Sequence, residues 1–181
     1  MFFMLNILGE PFVNVSLCNL EGESVSLESI VGGDVPVAIS AGSYTWPLFV
    51  DEKENLQRIY DQYSGKKIKF FVIYITEAHP QGLSNINDLF QDPCPSSRGP
   101  RWFPNPKSNE ERIFRARQFI NDTNFELPLL VDDISNGFNR NYGAEPQRLY
   151  IFYHGKLWYR GKPGPFGYNL KEWESTIKTL L

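Results

Sequence analysis

Alternating apolar and polar positions predict two β-hairpins, one near each end of the chain. Residues 11–17 (PFVNVSL) and 24–27 (SVSL) both alternate, and turn-forming residues separate them at 21–22. Such alternation is typical of strands that bury one face of a sheet. Residues 148–160 (RLYIFYHGKLWYR) predict two antiparallel strands that turn at 154–155.

Three other segments are apolar through most of their length. They are VPVAISA at 35–41, KIKFFVIYI at 67–75 and LPLLVDD at 127–133. Continuous apolar runs of this length are typical of strands that are buried on both faces of a parallel or mixed sheet.

Helical spacing of apolar residues predicts helices over 47–63, 108–121 and 169–181. In the second of these, Ser108 is the expected N-cap and Glu111 completes a capping box. The predicted apolar stripe of this helix consists of Ile113, Phe114, Ala116 and Ile120.

The order of these elements is hairpin, strand, helix, strand, helix, strand, hairpin, helix, which indicates an α/β sandwich of the thioredoxin type. We expect one domain over residues 1–181, in which 1–33 form an N-terminal arm and hairpin. Residues 80–107 are expected to be a loop insertion, because proline recurs through 92–106 and is excluded from helix interiors and central strands. A loop of that length favours a lid or a substrate loop over a plain connector.

Composition narrows the function classes. Lys and Arg number 18 against 21 Asp and Glu, so a net charge of -3 gives no basis for binding nucleic acid or an anionic membrane. Two cysteines do not make a disulfide scaffold, and the default location is a reducing cytoplasm. No run approaches the roughly 20 apolar residues of a membrane span. The apolar start, 1–8, is expected to be a first strand or an arm of the mature protein.

Candidate catalytic side chains follow the first two buried strands. Ser43 and Tyr44 come after one strand, and Glu77 and His79 come after the next. Ligands bind at the carboxyl ends of strands in open α/β sheets, so these residues and Trp46 converge if the two strands are neighbours. A carboxylate beside an imidazole can orient it or transfer a proton. The alternative is that Glu77 caps the following turn and His79 is a surface residue.

Four segments resemble the iodothyronine deiodinases, which are thioredoxin-fold selenoproteins. They are GSYTWPLF (42–49), FVIYITEAHPQG (71–82), SNEERIFRARQF (108–119) and NYGAEPQRLYIFYHGKLWYRGKPGPFGYNL (141–170). The similarity covers roughly residues 35–181, and the front hairpin is similar to that of peroxiredoxin-like redoxin domains. The resemblance implies a thioredoxin fold and a homodimer, whereas the membrane helix of the animal deiodinases is not expected here.

The chain departs from the family pattern at the redox positions. In the family, residues 42–49 would read Gly-Ser-Cys-Thr-selenocysteine-Pro-Pro-Phe; here Tyr44 takes the cysteine position and Trp46 the selenocysteine position. Ser43 and Thr45 match the pattern. Neither Tyr nor Trp can act as a nucleophile of low pKa, so the resemblance does not carry the redox chemistry with it.

The chain retains some of the acid–base residues of the family pattern. Glu77 and His79 match the family's Glu and His, whereas a second histidine expected before the helix at 108 aligns with Pro106. UGA encodes selenocysteine in this family and is read as Trp in some genetic codes. Trp46 therefore also leaves open a recoded site.

Several residues are candidates for contact with a ligand. Trp46 is either a core residue or an aromatic wall of a pocket for an aromatic or polyene ligand. Arg112 and Arg148 match family positions, and each either pairs with an acidic ligand group or joins a helix to the sheet. The other candidates are Thr45, Trp102 and Phe103.

Thiol and metal chemistry have weaker support. Cys94 in the proline-rich loop is a possible nucleophile, and Cys18 is expected to be a small core residue. Neither belongs to a CxxC pair, and the two histidines, His79 and His154, form no metal-binding motif. We expect neither a metal nor a cofactor.

Three hypotheses follow. The first is a non-redox acid/base enzyme of the isomerase, cyclase, lyase or hydrolase type, acting on a hydrophobic aromatic or conjugated small molecule. In it, Glu77 and His79 transfer protons while Tyr44 and Ser43 donate hydrogen bonds to an oxyanion. The second is a catalytically silent thioredoxin-fold module that binds a ligand or a protein. The third is a reductase or dehalogenase that uses Cys94 or a recoded selenocysteine.

Overall fold

A computed structural model describes residues 9–79 and 103–181. The predicted arm at 1–8, most of the predicted loop insertion, Cys94 and Trp102 lie outside the described residues.

Seven strands of the described residues form one mixed sheet in the order β2-β1-β5-β4-β3-β6-β7. The strands are β1 (Ser16–Cys18), β2 (Ser24–Ser26), β3 (Val37–Gly42), β4 (Lys69–Tyr74), β5 (Leu129–Asp132), β6 (Arg148–Tyr153) and β7 (Lys156–Arg160). The three predicted buried strands are therefore confirmed as its centre, and both predicted hairpins form its edges, although the strand predicted over 11–17 is only Ser16–Cys18.

The three central strands run parallel, so their carboxyl ends meet at one edge of the sheet. Gly42 at the end of β3 pairs with Tyr74 at the end of β4, and Tyr74 pairs with Val131 near the end of β5. β6 runs antiparallel to β3 and brings Arg148 opposite Ala41. This register makes β3 and β4 neighbours, which was the condition for the predicted side chains to converge.

Six helices of the described residues cover the sheet. They are α1 (Leu27–Val31), α2 (Pro47–Asp51), α3 (Lys53–Tyr63), α4 (Asn109–Thr123), α5 (Gly137–Tyr142) and α6 (Leu170–Thr179). The single helix predicted over 47–63 is divided at Glu52, and α1 and α5 were not predicted. The second predicted strand ends at Ser26, one residue early, because buried Leu27 already begins α1.

The predicted start of α4 is confirmed, but its predicted apolar stripe is wrong at one position. The Ser108 hydroxyl accepts a hydrogen bond from the Glu111 amide at 3.3 Å. Phe114 is 62% exposed, whereas Phe119, absent from the predicted stripe, is fully buried. Phe114 follows Ile113 directly and is therefore rotated by about 100° away from the buried face. The buried residues are Arg112, Ile113, Ala116, Phe119 and Thr123.

Two hydrophobic clusters lie on opposite faces of the sheet. One contains Phe49, Phe119 and Trp173, and the other contains Phe138 and Tyr142. Alternate side chains of each central strand belong to alternate clusters, as the pleat of a sheet buried on both faces requires. The thioredoxin-like α/β class predicted from the sequence is thereby confirmed. No helix of the described residues is long and apolar enough to cross a membrane.

Candidate functional site

The segment 43–46 turns sharply between β3 and α2. At Gly42 an added Cβ would lie 2.3 Å from Cδ2 of Phe49, so the ring packs directly on the strand backbone. The Gly42 carbonyl accepts a hydrogen bond from the Ile75 amide at 3.0 Å, and the Ser43 carbonyl accepts one from the Trp46 amide at 3.2 Å. Pro47 begins α2 at the position where a helix needs no amide donor. The backbone thus presents this segment at the carboxyl edge of the sheet.

The Glu77 carboxylate is buried under this segment and accepts three hydrogen bonds. Oε1 accepts from the Tyr74 hydroxyl at 2.5 Å, and Oε2 accepts from the Thr45 hydroxyl at 2.7 Å and the Thr45 amide at 3.2 Å. Only 3% of Glu77 is exposed. A buried carboxylate with this set of donors is well suited to hold a loop in one position.

Tyr74 is a site residue that the sequence analysis missed. Its hydroxyl donates to Glu77 and accepts a hydrogen bond from the Tyr44 amide at 3.2 Å. Burial, and then the negative charge of Glu77, raise the pKa of Tyr74 well above its ordinary value, so this hydroxyl stays protonated. Its position at the end of an apolar strand was a usable signal, because a buried tyrosine hydroxyl needs a partner.

A second pair of contacts joins the ends of β3 and β4. The Ser43 hydroxyl accepts from the Ala78 amide at 3.2 Å, and the Thr45 hydroxyl accepts from the His79 amide at 3.2 Å. Thr45 therefore links the Glu77 carboxylate to the backbone of His79. Ser43, Thr45, Glu77 and His79 all lie in this arrangement, at the strand ends where the sequence predicted them.

Trp46 lies beside His79. The two rings are stacked, with centroids 5.4 Å apart and planes inclined by 24°. Trp46 is 6% exposed and His79 is half-buried. The position aligned with selenocysteine is therefore occupied by an aromatic ring in contact with the histidine.

The Tyr44 side chain points away from His79, toward α4. Its hydroxyl donates to the carboxylate of Asp122 at 2.7 Å, and its ring packs on Phe103 and Phe119 with centroids 5.6 and 5.5 Å apart. The guanidinium of Arg115 covers Phe103 at 4.2 Å from the ring centroid. Phe103 is thus placed against Tyr44, and Trp102 lies outside the described residues.

The two predicted arginines lie in different surroundings. Arg112 is 1% exposed and donates to the carbonyls of Asp132 and Asp133 at 3.0 and 2.7 Å, so it joins α4 to the end of β5. Arg148 is 8% exposed and donates to the carbonyl of Tyr142 at 3.3 Å. Its Nε atom is buried with no hydrogen-bond partner among the described residues. Burial lowers the pKa of both guanidinium groups.

Asp132 is a buried carboxylate at the same edge of the sheet. It is fully buried and accepts hydrogen bonds from the amides of Phe138 and Asn139, each at 2.9 Å, which fixes the start of α5. Burial raises its pKa to about 6, although those two hydrogen bonds and Arg112 act in the opposite direction. Its sequence context gives no signal of a functional site, because adjacent acids after a strand are usually turn residues.

Thiol and metal sites find no support within the described ranges. Cys18 is buried in β1, as predicted, and burial together with Asp133 raises the pKa of its thiol. No group of three or more His, Cys, Asp or Glu side chains in residues 9–79 and 103–181 is arranged to hold a metal ion. A groove of about 420 Å³ lies on the outer face of α4, away from His79; it is lined by Pro104, Pro106, Glu110, Glu111, Phe114 and Arg115.

Several solved structures with the same architecture are named as thiol–disulfide proteins. The chain superposes on a thiol:disulfide interchange protein from Bacteroides sp. with a TM-score of 0.62 and 10% identity, covering 96% of this chain and 90% of that one. It superposes on a thiol-disulfide oxidoreductase from Bacteroides fragilis with a TM-score of 0.60 and 13% identity, covering 95% and 100%. At these identities the likeness establishes the thioredoxin-like fold alone.

Relatives in sequence identify the family, whereas the solved structures identify only the fold. The chain is 32% identical to thyroxine 5-deiodinase of Ovis aries over 140 residues, which are 77% of this chain and 44% of the sheep protein. It is 29% identical to thyroxine 5-deiodinase of Gallus gallus over 184 residues, covering 99% of this chain and 67% of the chicken protein. The chain therefore spans less than half the length of the sheep relative. Residues 2–180 match the family described as iodothyronine deiodinase, and the chain belongs to that family.

Proposed function

We propose that this protein is a non-redox enzyme that binds an aromatic or conjugated small molecule and transfers a proton to or from it through His79. The observation that carries this proposal is the stacked pair of Trp46 and His79 at the position aligned with selenocysteine. An imidazole can take up and release a proton near neutral pH. The adjacent indole gives a flat apolar surface for a conjugated ligand.

The residue types at the redox positions argue against the activity in the relatives' names. Thyroxine 5-deiodinase is the name of the sheep and chicken proteins. Tyr44 and Trp46 supply neither a thiolate nor a selenolate, and the Tyr44 hydroxyl is already bound to Asp122. Proton transfer needs only the groups that the chain retains.

Glu77 serves as a positioning residue in this proposal. Both of its oxygens are engaged by donors, and its contact with Thr45 leads directly to the backbone of His79. His79 is therefore the proton-transfer group and Glu77 holds the strand end that carries it. Arg148 lies with Tyr142, a member of the cluster on the opposite face of the sheet from Trp46, and has no part in this proposal.

Hydrogen–deuterium exchange at carbon tests this proposal without knowledge of the natural product. The protein is incubated in D₂O with phenylpyruvate and with benzylideneacetone, whose C–H bonds next to the carbonyl are acidic. If His79 removes that proton and a solvent deuteron replaces it, deuterium accumulates in the probe faster than in a protein-free blank. NMR of the recovered probe measures the rate.

Two matched variants assign the exchange to the site. His79→Asn is expected to lower the rate by about 100-fold or more, as is usual when a general base is lost. His154→Asn is the control, since His154 is the chain's other histidine and lies in the turn between β6 and β7. Equal rates in the two variants, with circular dichroism unchanged, would remove His79 from the chemistry.

A second candidate is a catalytically silent binding module. It is favoured by one observation: three hydrogen bonds occupy the Glu77 carboxylate, which leaves it little capacity to act on a ligand. It predicts that the same probes bind in calorimetry but show no exchange. Replacing Glu77 by Gln or His79 by Asn would then leave the binding affinity unchanged.

Intact-protein mass spectrometry of chain from its native host separates both candidates from a reductase. A mass that matches Trp at position 46, together with function that survives thiol alkylation, would support non-redox chemistry. A selenium isotope pattern, or function lost when Cys94 is alkylated, would support the reductase instead.

A further inference from the structure

Two buried indoles of the described residues lie on the same side of the sheet, and within that part of the chain only one of them has a hydrogen-bond partner. Trp173 is 1% exposed, and its Nε1 donates to the carbonyl of Tyr150 at 2.9 Å. Trp46 is 6% exposed, and its Nε1 is buried with no partner among the described residues. Both residues belong to the same hydrophobic cluster.

A buried donor without an acceptor is costly. The desolvation penalty of such a group is about 1–3 kcal/mol, which is why native interiors leave few of them and why each one calls for a cause. A phenylalanine at position 46 would fill the same cluster without that penalty. The unpaired N–H of Trp46 therefore stands out as a polar group that core packing alone does not explain.

The Trp46 N–H lies beside the residue proposed to act on the ligand. Trp46 lies at the N-terminus of α2 with its ring stacked on His79, the residue proposed to transfer the proton. Because the indole N–H is buried, the cost of desolvating it is already met before a ligand acceptor reaches it. A preorganised donor of this kind contributes more to recognition than an exposed one.

We propose that the Trp46 indole N–H is the recognition donor of the site, and that the ligand is a planar conjugated molecule with an acceptor oxygen, a carbonyl or a carboxylate, at its edge. This inference rests on the proposed function for the location of the ligand. It adds the ligand's acceptor group, which the stacked pair of rings by itself does not specify. Trp46, which cannot act as a redox nucleophile, would thereby determine which ligands bind.

Nuclear magnetic resonance of ¹⁵N-tryptophan-labelled protein tests the proposal. The chain has four tryptophans, so four indole N–H signals are expected, and Trp46→Phe identifies the one from position 46. The probes are acetophenone and ethylbenzene, which have the same ring and nearly the same shape but differ in the carbonyl oxygen. Acetophenone is expected to move the Trp46 signal downfield, whereas ethylbenzene is not.

Affinity gives a second measurement. Trp46→Phe is expected to weaken acetophenone binding by about tenfold more than ethylbenzene binding, because both probes lose contact with the indole ring but only acetophenone loses the donor. Trp173 provides the internal control, because its donor is already bound to Tyr150 and its signal should not move with either probe.

Three results would overturn the inference. The first is binding of both probes with no movement of the Trp46 signal, which would leave an aromatic pocket without this donor. The second is cross-relaxation between the free protein's Trp46 N–H and a buried water, which would show that the donor already has a partner. The third is the absence of binding by either probe; deuterium exchange into phenylpyruvate would then still decide the proposed proton transfer separately.

Discussion

The buried carboxylate of Asp132 should make this protein more stable when the pH falls from 7 to 5. Asp132 lies at the end of β5 and binds the first amides of α5, but burial raises its pKa to about 6. In the unfolded chain the same group has the ordinary aspartate pKa of 3.8. Between these two values the folded protein binds the extra proton, so protonation favours the folded state.

The size of the effect follows from the two pKa values. A difference of about two units corresponds to about 3 kcal/mol between full protonation and full ionisation. Only part of this difference is realised between pH 7 and pH 5, and over that range the free energy of unfolding increases by about 1 kcal/mol. For a chain of this size that gain raises the melting temperature by about 2–4 °C.

The increase in stability is expected only down to about pH 5, because protonation of another carboxylate lowers the stability of the folded protein at more acidic pH. The hydrogen bond from Arg58 lowers the pKa of Glu174 to about 2, so the stability that this group contributes is lost as the pH falls toward that value. Stability is therefore expected to pass through a maximum on the acid side of neutrality.

Thermal unfolding at several pH values between 7 and 5 measures the effect, with Asp132→Asn as the test variant. The variant cannot titrate at this position and should lose the increase that the natural chain shows. Asp61→Asn, the same change at an exposed position of α3, should keep it. A natural chain with a flat profile, or an unchanged increase in Asp132→Asn, would refute the assignment to Asp132.

Two substitutions test the packing and the hydrogen bonds of the segment after β3 by urea unfolding. Gly42→Ala should lower the free energy of unfolding by about 1–3 kcal/mol, because the added Cβ would lie 2.3 Å from the Phe49 ring. Gly33→Ala places its Cβ in open space and should lower the free energy of unfolding far less. Equal losses in the two variants would contradict the close packing at Gly42. Thr45→Val should cost about 1–3 kcal/mol because it removes a donor to buried Glu77, whereas Thr45→Ser keeps the hydroxyl and should recover most of the loss. A valine variant as stable as the serine variant would show that this hydroxyl contributes nothing.

The sequence predicted the elements whose hydrophobic pattern is long and continuous. The run at 67–75 is apolar on both faces, and a strand buried in the centre of a sheet is the element that such a run fits. The six residues of α5 contain only Phe138 and Tyr142 as buried positions, which is too short a pattern to identify a helix. The division at Glu52 also has no clear signal, because apolar spacing continues on both sides of it.

For the site, residue types could be predicted but partners could not. Glu77 and His79 were recognisable because ligands bind at the carboxyl ends of strands in open α/β sheets and because both residues match the family pattern. The contact between Tyr44 and Asp122 joins residues 78 positions apart, and nothing local in either segment indicates it. Tyr74 was missed because a tyrosine at the end of an apolar strand is also typical of a core residue. Its acceptor, Glu77, lies three residues further on, and its donor is the Tyr44 amide, which follows the neighbouring strand.

The hydrogen bonds that hold the site do not use the side chain of Trp46. Ser43, Thr45 and Glu77 make the side-chain contacts between the two strand ends, and position 44 contributes its backbone amide to Tyr74. Any residue except proline at position 44 can supply that amide, so the local backbone does not require a particular side chain there. The rings of Tyr44 and Trp46 lie in separate places, one against α4 and one on His79. Because the contacts between the strand ends are independent of the side chains at 44 and 46, the fold by itself does not determine the chemistry of its site.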